Sequence, residues 1–360
     1  MARETLTVST PLLQNILNQP EALRTVAEYQ FGVGRPALLR AAELLRTKKR
    51  ILLSGMGASH FACMPFEYIF SERGWGATSI ETAELLYFLS SSIDKDTALI
   101  LVSRSGESVE VLKLLPVAKE RGAVVIAIAN VPESALSREA DETILMNSPA
   151  DQLVAIQTYT ATVVTLALLC AALFNELDQA RAELDRTLET LLTFVPEYVK
   201  VSENWREFLN GDAPLYLLGR GPGLGSVAEG VLLMHEVAKA SSIGMSVPQF
   251  RHGPVEVVDR RFRGIIIGAR EETARLDAAL TDDLGRMGGQ VRWIGPPVDG
   301  AKLISLCSWP VNLPQRFQSL LEVVPLQMAA YRKAEICGVR PGEFRWAPAI
   351  TTTEAGFSCA

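Results

Sequence analysis

Ala98-Leu99-Ile100-Leu101-Val102-Ser103-Arg104-Ser105-Gly106-Glu107-Ser108 is the stretch whose reading decides the fold. Its first five residues are a short apolar run, β-branched in part and bounded by small polar residues, which predicts a buried strand. Val109, Leu112, Leu115 and the pair Val117–Ala118 then recur at helical spacing, so residues 109–121 predict one amphipathic helix. The turn between strand and helix offers three hydroxyls, a glycine and the free N–H groups of a helix start. Those N–H groups carry partial positive charge and suit a phosphate. Gly106 lets the backbone approach closely, and serine hydroxyls donate hydrogen bonds without a lysine. The same residue types also make ordinary helix caps, so this stretch alone admits both readings.

A second loop of the same kind tips the balance toward an anion. Arg50–Leu53 predicts a strand, Ser54-Gly55-Met56-Gly57-Ala58-Ser59 a turn, and residues 60–73 a helix. The glycine pair raises a dinucleotide fingerprint, but His60 stands at the third glycine position. No acidic residue closes a second strand at the expected distance, so no nicotinamide site and no cofactor is expected. Further strands are predicted at Thr78–Ile80, Val124–Ala129 and Glu142–Met146. Alternating strands and helices mean a mostly parallel sheet covered on both faces, an α/β fold.

The rest of the chain extends this unit. Residues 11–29 predict an N-terminal helical arm that restarts at Gln19-Pro20-Glu21, and Pro36–Leu45 a second helix. The cluster Arg46-Thr47-Lys48-Lys49-Arg50 reads as a solvated helix end meeting the dipole. Two long helices, at 155–175 and 177–192, join this half to another. There the pattern repeats, with a strand at Leu215–Leu218, the glycine loop Gly219-Arg220-Gly221-Pro222-Gly223 and a helix over 224–240. Strands at 263–268, 290–294 and 303–307 and helices at 276–287 and 316–337 complete it. The predicted organisation is an arm at 1–34, domains at 35–195 and 196–340, and a tail at 341–360. Ligands in such sheets bind beyond the carboxyl ends of the strands, where both glycine loops are expected.

Composition limits the function. At 360 residues the chain is long enough for two full cores, and 48% hydrophobic with 21% charged residues is ordinary for a globular enzyme. A net charge of -6 with mixed signs argues against nucleic acid. Cys63, Cys170, Cys307, Cys337 and Cys359 have no metal spacing, so reduced thiols and no metal are expected. Met1-Ala2-Arg3-Glu4 opens no signal-peptide core, and the apolar run 161–174 is too short to span a bilayer. The expectation is a cytoplasmic protein with no membrane partner.

Four short motifs in order carry a family resemblance: Gly57-Ala58-Ser59, Ser103-Arg104-Ser105-Gly106-Glu107-Ser108, Leu218-Gly219-Arg220-Gly221 and Arg251-His252-Gly253-Pro254. With these the chain resembles, over nearly its whole length, the two-domain sugar isomerase (SIS) family, whose best-known member is the isomerase half of glucosamine-6-phosphate synthase. The resemblance implies two SIS domains, each a flavodoxin-like three-layer α/β/α unit. It implies that Ser59, Ser103, Ser105 and Ser108 hold the phosphate of a hexose 6-phosphate or amino-sugar phosphate. Arg104 replaces a neutral family residue and adds a charge-assisted contact there. Gly57, Ala58 and Val154 would complete the sugar contacts. Glu84 matches a family glutamate and fits a structural cap equally well. Glu236 would be the proton-transfer base and His252 would assist ring opening, reaching in from a neighbouring subunit of a homodimer with shared sites.

The residues agree with that chemistry. Aldose–ketose conversion moves a proton between C1 and C2, and one positioned carboxylate serves as base and then acid. Glu236 on an amphipathic helix also reads as a surface glutamate, whereas His252 sits in a kinked loop. His60 is expected to line the first loop and His235 to point away from Glu236.

Three departures redirect the reaction. No glutaminase domain is seen, the synthase's C-terminal lysine aligns near Ala349 with no lysine after Lys333, and a second family lysine corresponds to Leu233. Synthesis of glucosamine 6-phosphate is therefore not expected. Deamination or isomerisation of an amino-sugar phosphate, or deglycation of a 6-phosphorylated Amadori compound, needs no enzymic lysine because the substrate brings nitrogen. The alternatives are a plain ketose/aldose phosphate isomerase and a non-catalytic sugar-phosphate-binding regulator.

Overall fold

The structure, a computed structural model, describes residues 10–354 apart from 269, 311, 312, 348 and 349. The readings at Met1-Ala2-Arg3-Glu4, Ala349 and Cys359 lie outside the described residues.

Two sheets of five parallel strands form the framework. The first comprises β1 (Arg50–Gly55), β2 (Gly76–Glu81), β3 (Thr97–Ser103), β4 (Val124–Ala129) and β5 (Glu142–Leu145) in the order β2-β1-β3-β4-β5. The second comprises β6 (Leu215–Gly219), β7 (Ser242–Ser246), β8 (Arg263–Ile267), β9 (Gln290–Ile294) and β10 (Ser305–Cys307), ordered β7-β6-β8-β9-β10. Both orders are 2-1-3-4-5, so one unit is built twice. All seven residues of β3 are buried, as a strand covered by helices on both faces must be.

The first half contains helices α1 (Pro11–Phe31), α2 (Arg35–Arg46), α3 (Ala58–Glu72), α4 (Thr82–Tyr87), α5 (Val109–Glu120), α6 (Ala135–Glu139), α7 (Gln157–Leu173) and α8 (Leu177–Val201). The second contains α9 (Arg206–Leu209), α10 (Gly223–Glu236), α11 (Val247–Arg251), α12 (Glu271–Arg286) and α13 (Gln318–Ile336). All 17 residues of α7 are buried, which is how a helix that is apolar all round must sit. It packs against α1, α2, α3 and α8 and touches α13 of the other half. Among the described residues, no helix is long and apolar enough to cross a membrane. Among the described residues four cysteines are free: Cys63, Cys170 and Cys307 are buried and Cys337 is exposed.

Four readings of the sequence need correction. Residues 11–31 form one helix that does not restart at Pro20. Proline removes the N–H that would serve the Ile16 carbonyl, and Gln19 Nε2 donates to that carbonyl instead at 3.2 Å. Helix α8 runs on past Leu192 to Val201 with Pro196 inside it. Leu192, whose carbonyl loses its partner, is exposed, so water can serve it. Strand β7 has no counterpart among the predicted strands. Helix α10 ends at Glu236, short of Ala240, because Lys239 turns left-handed at φ 53°.

Candidate active site

Two strand–helix turns of the first unit form one wall of a cleft. After β1, Gly57 takes a left-handed φ of 51° and opens α3, which brings Ala58 and Ser59 to the sheet edge. After β3, Gly106 has φ 68°, and a Cβ there would stand 2.0 Å from Ser134 Oγ, so only glycine fits. The tight turn is fixed by its own serines. Gly106 N–H donates to Ser103 Oγ at 3.1 Å, Glu107 N–H to Ser105 Oγ at 3.2 Å, and Ser103 and Ser108 hydroxyls lie 3.2 Å apart. Glu107 turns away and accepts from Ala135 N–H at 2.8 Å.

The opposite wall comes from the second unit. Helix α10 delivers Leu232 and, at its last residue, Glu236. Lys239 donates through Nζ to the backbone carbonyls of Glu236 and Glu343, which ties the helix end to the C-terminal segment. Phe344, Ala347, Ile350 and Thr351 of that segment close one side of the cleft. Thr351 accepts from Val109 N–H at 3.1 Å and so occupies a free donor of the α5 start. Glu354 is held by Lys113 and by Tyr87 Oη at 2.6 Å. The cleft encloses about 320 Å³.

Burial raises the Glu236 carboxyl to about 7, against the opposing pull of the Arg104 and Lys239 cations. Arg104 is anchored by a bond from Nη1 to the Leu153 carbonyl at 3.0 Å. One turn pair earlier on α10, Glu229 is buried, Oε2 has no partner, and burial first, then Glu236 and Asp151, push its carboxyl well up. The buried Tyr159 hydroxyl also lacks a partner.

Eight residues singled out in the sequence line this cleft together: Gly57, Ala58, Ser59, Ser103, Arg104, Ser105, Ser108 and Glu236. Three do not line it. Val154 is 3% exposed and packs in the core between two cleft residues, Leu153 and Ala155. Glu84 is exposed on α4, and the cap belongs to Glu81, whose carboxylate accepts from Ala83 N–H at 3.2 Å. His252 is exposed in the turn after α11, beside Gly253 at φ 125°.

Other expectations also shift. His60 lies outside the cleft, with its imidazole held below the usual value by burial and Nε2 unpartnered. The second glycine loop forms no such cleft: Arg220 Nε sits 2.5 Å from Asp277 Oδ1, and the space left there is about 10 Å³. Sequence reasoning missed Glu110, 8% exposed on the first turn of α5 and part of the cleft wall. Its only local signal is its place two residues after Ser108. Among the described residues, no group of three or more His, Cys, Asp and Glu could hold a metal.

Comparison with known proteins gives this geometry a setting. Residues 44–174 match the family model described as SIS domain. The chain is 27% identical over 335 residues to glutamine–fructose-6-phosphate aminotransferase (isomerizing) of Pyrococcus horikoshii, covering 92% of this chain and 55% of that protein. It therefore spans about half the length of the curated relatives it matches. The C-terminal domain of glucosamine-fructose-6-phosphate aminotransferase from Francisella tularensis superposes with a TM-score of 0.81 at 22% identity, covering 94% and 99% of the two chains. Glucosamine-6-phosphate deaminase of Thermotoga maritima gives 0.71 at 19% identity, covering 92% and 97%. These likenesses show the two-unit α/β fold.

Proposed function

We propose that this chain, whose residues 44–174 match the SIS domain model, moves a proton between C1 and C2 of an open-chain hexose 6-phosphate that carries nitrogen. One observation carries the reading: the hydroxyl-rich turns of the first unit and the raised carboxyl of Glu236 face one cleft. Ser59, Ser103, Ser105 and Ser108 would receive the phosphate, with the α5 start supplying N–H groups. Arg104, whose charge reaches Glu236, would sit between phosphate and base.

Glu236, ionised, takes the proton from C2 of the open-chain aldose. The C–H electron pair moves into the enediol as O1 gains a proton. The carboxyl then returns its proton to C1 while C2 becomes a carbonyl and O2 loses its proton. With nitrogen at C2 or C1 the same shuttle passes through an enamine, and hydrolysis releases the amine. By the resemblance drawn from the sequence, the synthase's two lysines correspond to Leu233 and to a position near Ala349, and no lysine follows Lys333, which favours a substrate that brings its own nitrogen. His252 of a second copy would open the sugar ring, since within one chain it does not line the cleft.

The test is exchange with deuterated water, followed by NMR, of the C2 hydrogen of glucosamine 6-phosphate and of the C1 hydrogens of a fructosamine 6-phosphate and of plain ketose phosphates. Exchange with the nitrogen-bearing sugars is expected. Exchange with the plain ketoses alone would remove the nitrogen argument, and none with any sugar phosphate would leave only a binding protein.

A further inference from the structure

A cavity of about 620 Å³, larger than the cleft, opens at the N-terminal ends of β6 and β8. It lies at the opposite edge of the second sheet from the turn where α10 begins. Tyr216 and Phe262 form its apolar side, their ring centroids 5.1 Å apart. Arg263 enters from the first residue of β8.

Arg263 is underused. Nη1 donates to the Arg261 carbonyl at 2.9 Å, and Nε is buried without an acceptor. Among the described residues no carboxylate forms an ion pair with it, whereas its neighbour Arg261 holds Asp259 at 2.7 Å. A second guanidinium stands beside it. Arg292 on β9 pairs opposite Ile265, two residues along from Arg263 and on the same face of the sheet. Arg292 lies over the Phe208 ring at 4.6 Å and donates to the Val291 carbonyl at 3.1 Å, again with no ion pair among the described residues. Burial holds the Arg292 guanidinium below its usual value, Arg263 pushes the same way, and Glu207 opposes them.

The loop facing Arg263 is shaped for it. Lys333 Nζ holds that loop through the carbonyls of Leu209 and Gly211, at 3.0 and 2.8 Å. A Cβ at Gly211 would stand 3.3 Å from Arg263 Cζ, so a glycine there keeps the guanidinium clear. Of the carboxylates on the rim, Asp259 is already paired and Asp212 is exposed. Glu207 acts as counter-charge to Arg292, whereas Arg263 has no ion pair among the described residues, and an anion in the cavity would supply one.

We propose that this cavity binds a small organic anion, a phosphate or carboxylate bearing an apolar or aromatic group. Arg263 takes the anionic end, and Tyr216 and Phe262 take the apolar part. The site is independent of the cleft, because none of its residues lines that cleft.

Titration calorimetry of the full chain with phenyl phosphate and with inorganic phosphate tests the proposal. Phenyl phosphate should bind more tightly than inorganic phosphate. Arg263→Gln should weaken that binding at least tenfold, whereas a Ser103→Ala, Ser105→Ala double variant should retain it. Without ligand, Arg263→Gln should melt no lower than the parent, because it removes a like-charge contact, and this separates lost binding from lost folding. Unchanged binding in Arg263→Gln, no binding at all, or loss in the serine variant alone would overturn the proposal. The last result would place every anion in the cleft and leave the proposed sugar-phosphate reading intact.

Discussion

At the residue scale the proposed chemistry rests on Glu236, and its environment predicts its pH dependence. Burial raises it to about 7, and only the ionised form can take a proton. Turnover per KM should therefore climb with pH through about 7 and then level, as a pH–rate profile will show. Glu236→Gln should lose about 10²–10⁴ in turnover with substrate affinity nearly kept; undiminished turnover would remove it from the mechanism. Glu322 makes a stability prediction of the opposite sign. Burial raises this carboxyl too, to about 7, despite the bond from Ser226 Oγ at 2.5 Å. Between about pH 4.5 and 7 the folded chain thus holds a proton that the unfolded chain has released, and stability falls as pH rises across that window, by about 3 kcal/mol in all. The melting temperature of Glu322→Gln should drop less than the parent's between about pH 5 and pH 8. The serines were legible in the sequence because a turn and its hydroxyls lie within six residues of each other. The loneliness of Glu229 and Tyr159 was not, since it depends on what α3, α7, α10 and α13 leave between them.

At the scale of elements, most of the first sheet could be read from short apolar runs, and the failures have local causes. Strand β7 reads Ser242-Ile243-Gly244-Met245-Ser246, with a glycine at its centre that argues against a strand. The glycine is there because α10 packs directly on it: a Cβ would stand 2.9 Å from Val227 Cγ1 and from Val231 Cγ2. Pairing with β6 along five residues overrides the weak propensity. Helix α1 failed the other way, since Pro20 signals a start and the structure makes it an interior residue. Gln19 makes that possible by serving the Ile16 carbonyl while its amide meets Gln327 Oε1 at 2.7 Å. Gln19→Leu should leave buried polar groups unpaired and cost about 1–3 kcal/mol in chemical unfolding, with no change in the proposed sugar-phosphate site. A cost near zero would mean that the helix bends to serve its own carbonyl.

Across the whole molecule the two copies of one unit have diverged in use. The first copy keeps hydroxyl-lined turns open, whereas the second closes the corresponding place with the Arg220–Asp277 pair and contributes a helix end and a tail to its neighbour's cleft. The repeat could be read from the order of strands and glycine loops; which copy stays open could not, because Asp277 lies 57 residues beyond Arg220. The exposed His252 leads to a prediction at this scale. Glu236→Gln and His252→Ala subunits, each inactive alone, should recover part of the activity once mixed and exchanged, because a hybrid of the proposed homodimer would rebuild one intact site. No recovery after proven exchange would place ring opening within one chain. The contact between Gln19 and Gln327 has a further consequence, in time. It joins residues 308 apart, and α1 packs on both α7 and α13. As the chain leaves the ribosome, α1 and α7 are complete long before α13 exists. A nascent first half therefore waits with an uncovered apolar flank until α13 has been made. Docking of α13 on α1 closes that flank, and the interval before it is when a chaperone has most to hold.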